Sequence, residues 1–149
     1  MQLRPQFAYV ADIAPTILDL TKVPLAPTIN NVPQTLMEGV SLLPSLTSKD
    51  ATSPTRSQYF ELYGNKALWS DGWVITTSHR LDPWRMDQSG PPNEPWELYH
   101  VDKDPGQTTD LASKYPERVK ALSAIFERQA ALYNVNPISN LQDARPFAA

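Results

Sequence analysis

Two tight-turn signals divide residues 57–78 into three short apolar segments, and this spacing constrains the fold more than any other feature of the chain. The segments, all rich in aromatic and β-branched residues, are SQYFELY (57–63), KALWS (66–70) and GWVITTS (72–78). The breaks, Gly64-Asn65 and Asp71-Gly72, are residue pairs that tolerate the positive φ angles of two-residue hairpin loops. The sequence therefore predicts three antiparallel strands joined as a meander.

A fourth strand and a helix are predicted after the meander. The fourth strand is WELYHV (96–101), which follows a long loop, residues 79–95, that contains four prolines. Residues 115–133 place apolar side chains on one helical face, namely Val119, Leu122, Ile125, Phe126 and Tyr133. We expect this helix to cover one face of a four-stranded antiparallel sheet. The predicted fold class is α+β.

The first third of the chain has a different character. FAYVADIAPTILDL (7–20) has helical spacing of its apolar residues, with Asp12 as a candidate N-cap and Pro15 in the first turn. Residues 21–56 hold five of the 15 prolines and predict a connector with one helical turn near Leu42. We therefore divide the chain into residues 1–56 (helix and connector), 57–133 (sheet and helix) and 134–149 (tail).

Composition excludes several classes of function. The 16 acidic and 13 basic residues give a net charge of −3 without long runs, so we expect neither a nucleic-acid nor a membrane partner. Cysteine is absent, which removes disulfides and thiolate chemistry and leaves the redox compartment open. The two histidines, His79 and His100, lie in different predicted elements and are interpreted as surface side chains rather than zinc ligands.

The stretch VDKDPGQTTDLA (101–112) permits two interpretations. Its three aspartates, Asp102, Asp104 and Asp110, could supply oxygen ligands to calcium, but the glycine and the final glutamate of an EF-hand loop are missing at the required positions. Alternatively, Pro105 and Gly106 form a type II turn and Asp110 caps a short turn before the helix. The local preferences favour the turn.

Four segments resemble arylsulfatases, in the order in which that family carries them. They are FAYVADIAPTILDL, MEGVSLLPSL, YFELYGNKALWSDGWVITT and WELYHVDKDPGQTTDLA, and together they span roughly residues 7–133. His100 stands where the family commonly has Asp, and Val74 where it commonly has Lys. The resemblance is to the C-terminal portion of the family only. It implies that the helix and connector belong to the larger α/β catalytic domain.

The resemblance implies a parent enzyme that hydrolyses sulfate esters with a formylglycine nucleophile beside calcium. Both groups are expected in an N-terminal domain that this chain does not contain, so whether the chain is itself an enzyme stays open. TSPTR (52–56) imitates the nucleophile motif, but Thr52 cannot give the aldehyde, and the stretch is interpreted as linker. His79 and Arg80, on the loop before the fourth strand, are the candidate residues of the substrate-pocket rim.

Two expectations about partners follow. Residues 7–20 would contact the missing N-terminal sulfatase domain or, without it, mediate self-association. As an alternative function, a binding or interaction module could use a Trp-rich sheet, with Trp69, Trp73, Trp84 and Trp96 as candidates for an aromatic platform. Buried tryptophans would favour the sulfatase portion, and an exposed contiguous patch would favour the module.

Overall fold

The computed structural model describes residues 4–52, 56–62, 64–78, 94–136 and 138. It divides into two compact units, Met1–Pro54 and Thr55–Ala149. Within the described residues, no helix combines the length and the apolar character that crossing a bilayer requires.

The first unit is mainly helix and irregular chain. Its elements are a 3₁₀ turn (Val10–Asp12), α1 (Ile13–Thr21), β1 (Thr28–Ile29), β2 (Val32–Pro33) and α2 (Leu43–Thr47). The predicted helix in 7–20 and the single helical turn of the connector are therefore confirmed. The β1–β2 hairpin was not predicted; its turn residues Asn30 and Asn31 both have positive φ, 50° and 64°, as asparagine tolerates.

The second unit contains the predicted four-stranded antiparallel sheet. Its strands are β3 (Ser57–Leu62), β4 (Asn65–Ser70), β5 (Trp73–Thr76) and β6 (Glu97–His100), which lie in that order. The helix that follows, α3, runs from Pro116 to Leu132. The sheet, its order along the chain and the helix agree with the α+β prediction.

The core lies between the sheet and α3. The registers of the strand pairs place Leu68, Ile75 and Leu98 directly opposite one another, and all three are fully buried. Phe126 of α3, also fully buried, packs in the same cluster together with Leu122. Residues on one face of a sheet alternate along each strand, so this arrangement fixes which side of every strand faces the helix.

One hairpin turn differs from its prediction by a single residue. Leu62 pairs with Asn65, so Asn65 belongs to β4 and the turn ends at Gly64, whose φ is 85°. The Asp71-Gly72 turn is confirmed, with φ values of 48° and 75° and with Ser70 paired to Trp73. Two consecutive positive φ angles are the mark of the type I′ turn that matches the twist of a hairpin.

The prediction of a type II turn at Pro105-Gly106 is wrong. The amide of Gln107 donates to the Asp104 carbonyl at 3.0 Å, so a turn is present, but positive φ falls on Gln107 (50°) and not on Gly106. A type II turn requires positive φ at its third residue. The N-cap assignment of Asp12 is correct in position, yet its side chain makes no capping bond to α1.

Candidate functional site

Asp12 joins α1 to the segment that follows the small hairpin. Its carboxylate is fully buried and accepts hydrogen bonds from the Tyr9 amide at 2.7 Å and the Val40 amide at 2.9 Å. A buried carboxylate is tolerated when such donors compensate its lost hydration. Thr16 adds a second link, because its hydroxyl donates to the Asp12 carbonyl at 2.6 Å and accepts from the Leu42 amide at 2.8 Å.

The same junction continues at Gly39 and Ser41. A Cβ atom on Gly39 would overlap the backbone carbonyl of Ala11, so the two segments touch backbone to backbone there. The Ser41 hydroxyl donates to Asp19 at 2.7 Å, and this bond, followed by the one from Lys22, holds the pKa of Asp19 below its usual value. These contacts join the first two segments that resemble arylsulfatases, residues 7–20 and 37–46, directly to each other.

The aspartates of 101–112 are likewise used by the backbone around them. Asp104 accepts from the amides of Thr108 and Thr109 at 2.8 and 3.0 Å and from the Thr108 hydroxyl at 3.1 Å. The Thr109 amide is the largest of the influences that keep the pKa of Asp104 below its ordinary value. The Asp104 side chain thus stabilises this loop by bonding to residues later in the same loop.

Asp110 ties this loop to the edge of the sheet. One of its oxygens accepts from the Leu98 amide of β6 at 2.9 Å and from the Ala112 amide at 2.8 Å, and the Leu111 amide donates to the Leu98 carbonyl at 2.8 Å. The predicted capping role of Asp110 is confirmed. The carboxylate of Asp102 lies over Gly72, where a Cβ atom would overlap it.

These carboxylates do not fit the calcium that the resemblance implies for the parent enzyme. Calcium takes six to eight oxygen ligands from one cluster, whereas Asp104 and Asp110 each point at backbone amides. Within the part of the chain that the structure describes, no three His, Cys, Asp or Glu side chains converge as metal ligands. We therefore derive no catalytic step through a metal on this chain.

The tryptophans in the described residues do not form a shared platform. Trp73 and Trp96 are half-buried and pack against the core, and Trp96 meets the edge of Phe126 at 5.3 Å between ring centroids. Trp69 pairs with Val74, which places it on the opposite face of the sheet from Trp73. Trp84 lies outside the described residues. This arrangement favours packing over the binding-module alternative.

Trp73 is the centre of an aromatic and cationic cluster that sequence reasoning missed. His100 lies 4.3 Å from its ring, Tyr115 meets it edge-on at 5.8 Å, and the Arg118 guanidinium carbon lies 4.3 Å above it. The interpretation of His100 as a surface side chain is wrong: it is half-buried, and its Nδ1 is buried without a hydrogen-bond partner. The four residues come from β5, β6 and the start of α3.

The predicted pocket-rim residues, His79 and Arg80, lie outside the described residues. The nucleophile-like stretch 52–56 is described only at Thr52 and Arg56. Both interpretations therefore stay predictions.

Comparison with solved structures shows which known folds this architecture resembles. No family model matches the chain. In fold it resembles three solved structures that it matches over 80–88% of its own length. One comes from work on glycosaminoglycan metabolism by Bacteroides thetaiotaomicron (TM-score 0.53, 22% identity). Another was solved with its substrate D-glucosamine-2-N,6-O-disulfate (0.51, 18%), and the third is Ps i-CgsB (0.56, 12%).

The sequence comparison is more particular. The chain is 28% identical to Arylsulfatase K of Gallus gallus over an alignment of 130 positions, which covers 78% of the chain and 21% of that relative. The matched part is the relative's C-terminal part. The solved structures are covered over only 24–26% of their lengths. The predicted resemblance to the C-terminal portion of a sulfatase is confirmed.

Proposed function

We propose that this chain acts as the C-terminal subdomain of a sulfuric ester hydrolase of the arylsulfatase type. The observation that carries the proposal is the match of 130 residues to the C-terminal part of an arylsulfatase, together with the likeness in fold. The reaction of the whole enzyme is hydrolysis of a sulfate ester to an alcohol or phenol and sulfate. The substrate named for one structural neighbour is a sulfated sugar, and a sulfated sugar is the substrate class we propose here.

In this proposal the subdomain packs on the catalytic domain, shapes the rim of the pocket and is not active alone. The catalytic domain supplies the formylglycine nucleophile and the calcium. Support comes from the carboxylates of this chain. Asp12, Asp104 and Asp110 accept hydrogen bonds from backbone amides, and these bonds stabilise the fold. These hydrogen bonds give each of the three carboxylates a structural role in this chain.

His79 and Arg80 are the proposed contacts to substrate. A sulfate ester is a permanent anion, so a guanidinium can offer it two parallel N–H donors and an imidazolium can offer a charge that depends on pH. Loops between rigid strands commonly carry such specificity residues. In sequence, these two residues lie between β5 and β6.

The test uses the full-length enzyme that carries this chain. We expect Arg80→Ala and His79→Ala to lower kcat/KM for a sulfated sugar by roughly 10- to 100-fold, the loss that follows when a hydrogen bond to a charged group is removed. Arg128→Ala, a matched change at an exposed arginine of α3, should leave kcat/KM unchanged. The 149-residue chain alone should release no sulfate.

Two results would contradict the proposal. Sulfate release by the purified chain would show that it carries its own nucleophile. A full-length enzyme without sulfatase activity, although folded and carrying formylglycine, would remove the reaction itself. Unchanged kinetics in both loop variants would remove only the pocket-rim role.

A further inference from the structure

A shallow cavity of about 630 Å³, open to solvent, lies at the beginning of α3. Its lining includes Lys114, Tyr115, Glu117 and Arg118, with the buried Leu122 among the apolar residues. This volume falls in the usual range of small-molecule sites, about 300–1,000 Å³. Two cations and one carboxylate line it, so the side-chain charge balance is positive.

Arg118 makes a cation–π contact with Trp73. The guanidinium carbon lies 4.3 Å from the ring centroid, and this contact leaves the N–H donors of the guanidinium available for hydrogen bonds. Within the described residues, Arg118 has no salt bridge and no side-chain hydrogen bond. A preorganised guanidinium without an anionic partner is suited to bind one.

Lys114 and Tyr115 complete the arrangement. The Lys114 ammonium lies 5.4 Å from the Tyr115 ring centroid, and among the residues that the structure describes it too lacks an anionic partner. Tyr115 is 39% exposed, and its ring meets Trp73 edge-on at 75°. The cavity therefore joins two unpaired cations with an accessible aromatic ring.

We propose that this cavity binds a sulfate group carried on a ring, with the sulfate oxygens on Arg118 and Lys114 and the ring against Tyr115. A sulfate monoester stays anionic at every physiological pH, and Arg binds such oxygens through paired donors. An aromatic side chain offers a rigid apolar surface to a sugar or aryl ring. The inference rests on the proposed function for its ligand class, and it concerns binding and not catalysis.

The test is a titration of the ¹⁵N-labelled 149-residue chain, followed by NMR. D-glucosamine 6-sulfate and phenyl sulfate are the two probes, and unsulfated D-glucosamine and inorganic sulfate are the references. We expect saturable shifts at the Trp73 indole N–H, the Tyr115 amide and the Arg118 side chain with at least one sulfated probe. The probe that binds more tightly shows whether the cavity prefers a sulfated sugar or an aryl sulfate.

Variants separate a specific site from general positive charge. Arg118→Ala should weaken binding roughly 10-fold, the effect of about 1.4 kcal/mol, and Arg118→Lys should give a smaller loss, because it keeps the charge without the paired donors. Lys120→Ala, a matched change on the exposed side of α3, should change the affinity less than about twofold. The spectra of the variants also report whether each one is folded.

The proposal is overturned if Lys120→Ala weakens binding as much as Arg118→Ala, or if Arg118→Lys and Lys114→Ala both bind as the parent chain does. It is also overturned if unsulfated glucosamine or inorganic sulfate binds as tightly as the sulfated probes. Binding of a sulfated probe here, with no sulfatase activity in the full-length enzyme, would refute the proposed reaction and retain this site. Sulfatase activity in the full-length enzyme, with no binding of a sulfated probe to this cavity, would refute the site alone.

Discussion

Single side chains show where sequence reasoning stopped. The turn at Asp71-Gly72 was predictable because both residues tolerate positive φ and the flanking residues alternate. The turn at Pro105-Gly106 was assigned the wrong type because the deciding interaction is not local to the dipeptide: Asp104 binds the amides of Thr108 and Thr109. Side-chain capture of backbone amides can override the preference of a glycine.

Tyr99 provides a test of burial at one residue. It is 8% exposed, and burial, followed by the hydrogen bond to Glu97, raises its pKa to about 12 from an ordinary 10.0. The folded state thus holds the phenol neutral in a range where the unfolded chain ionises it. This contribution to stability is complete below pH 10 and is lost as the pH rises from 10 to about 12.

We therefore predict that Tyr99→Phe changes the alkaline side of the stability curve. At pH 8 the variant should be less stable by about 1 kcal/mol, because the bond to Glu97 is lost. The gap should shrink between pH 10 and 12, where only the parent chain loses the contribution of Tyr99. Urea unfolding at a series of pH values measures this, with Tyr115→Phe as the exposed control. Parallel curves for parent and variant would contradict it.

Elements were predicted where their signal lies within a few residues. The strands and α3 follow from residue alternation and helical spacing, whereas β1 and β2 have two exposed residues each and no buried face to reveal them. The junction between α1 and residues 39–42 depends on contacts between Asp12 and Val40 that are 28 positions apart. The cluster around Trp73 was missed for the same reason, since Arg118 lies far from Trp73 in sequence.

Gly39 tests the junction between elements. We predict that Gly39→Ala destabilises the first unit by about 1–3 kcal/mol, because the new methyl group would overlap a backbone carbonyl that cannot move without displacing α1. Hydrogen exchange at the Val40 and Leu42 amides, which bind Asp12 and Thr16, should accelerate. The matched control is Gly106→Ala, whose Cβ would lie 3.3 Å from a side-chain methyl of Thr108 and not against backbone. Equal protection in both variants would refute the junction.

At the scale of the molecule, the chain corresponds to about a fifth of its curated relative and leaves an apolar surface open. The outer face of α1 and the turn before it carries four large apolar side chains that are at least half exposed: Val10, Ile13, Ile17 and Leu20. Helical spacing predicted the helix, and the resemblance to arylsulfatases predicted that this face would contact a domain outside the chain. An apolar face of this kind is typical of a contact surface, and we propose that the catalytic domain covers it in the full-length enzyme.

For the chain without that domain, we predict self-association through the same face. Removing two such half-exposed isoleucines from water is worth about 1 kcal/mol each, so Ile13→Glu combined with Ile17→Glu should weaken association at least 10-fold. Sedimentation equilibrium over a range of concentrations measures the effect. Leu132→Glu is the control, because that leucine is 70% exposed at the end of α3 and stands apart from α1 in sequence. A parent chain that stays monomeric at millimolar concentration, or a control variant as defective as the α1 variant, would show that this face is not the contact surface.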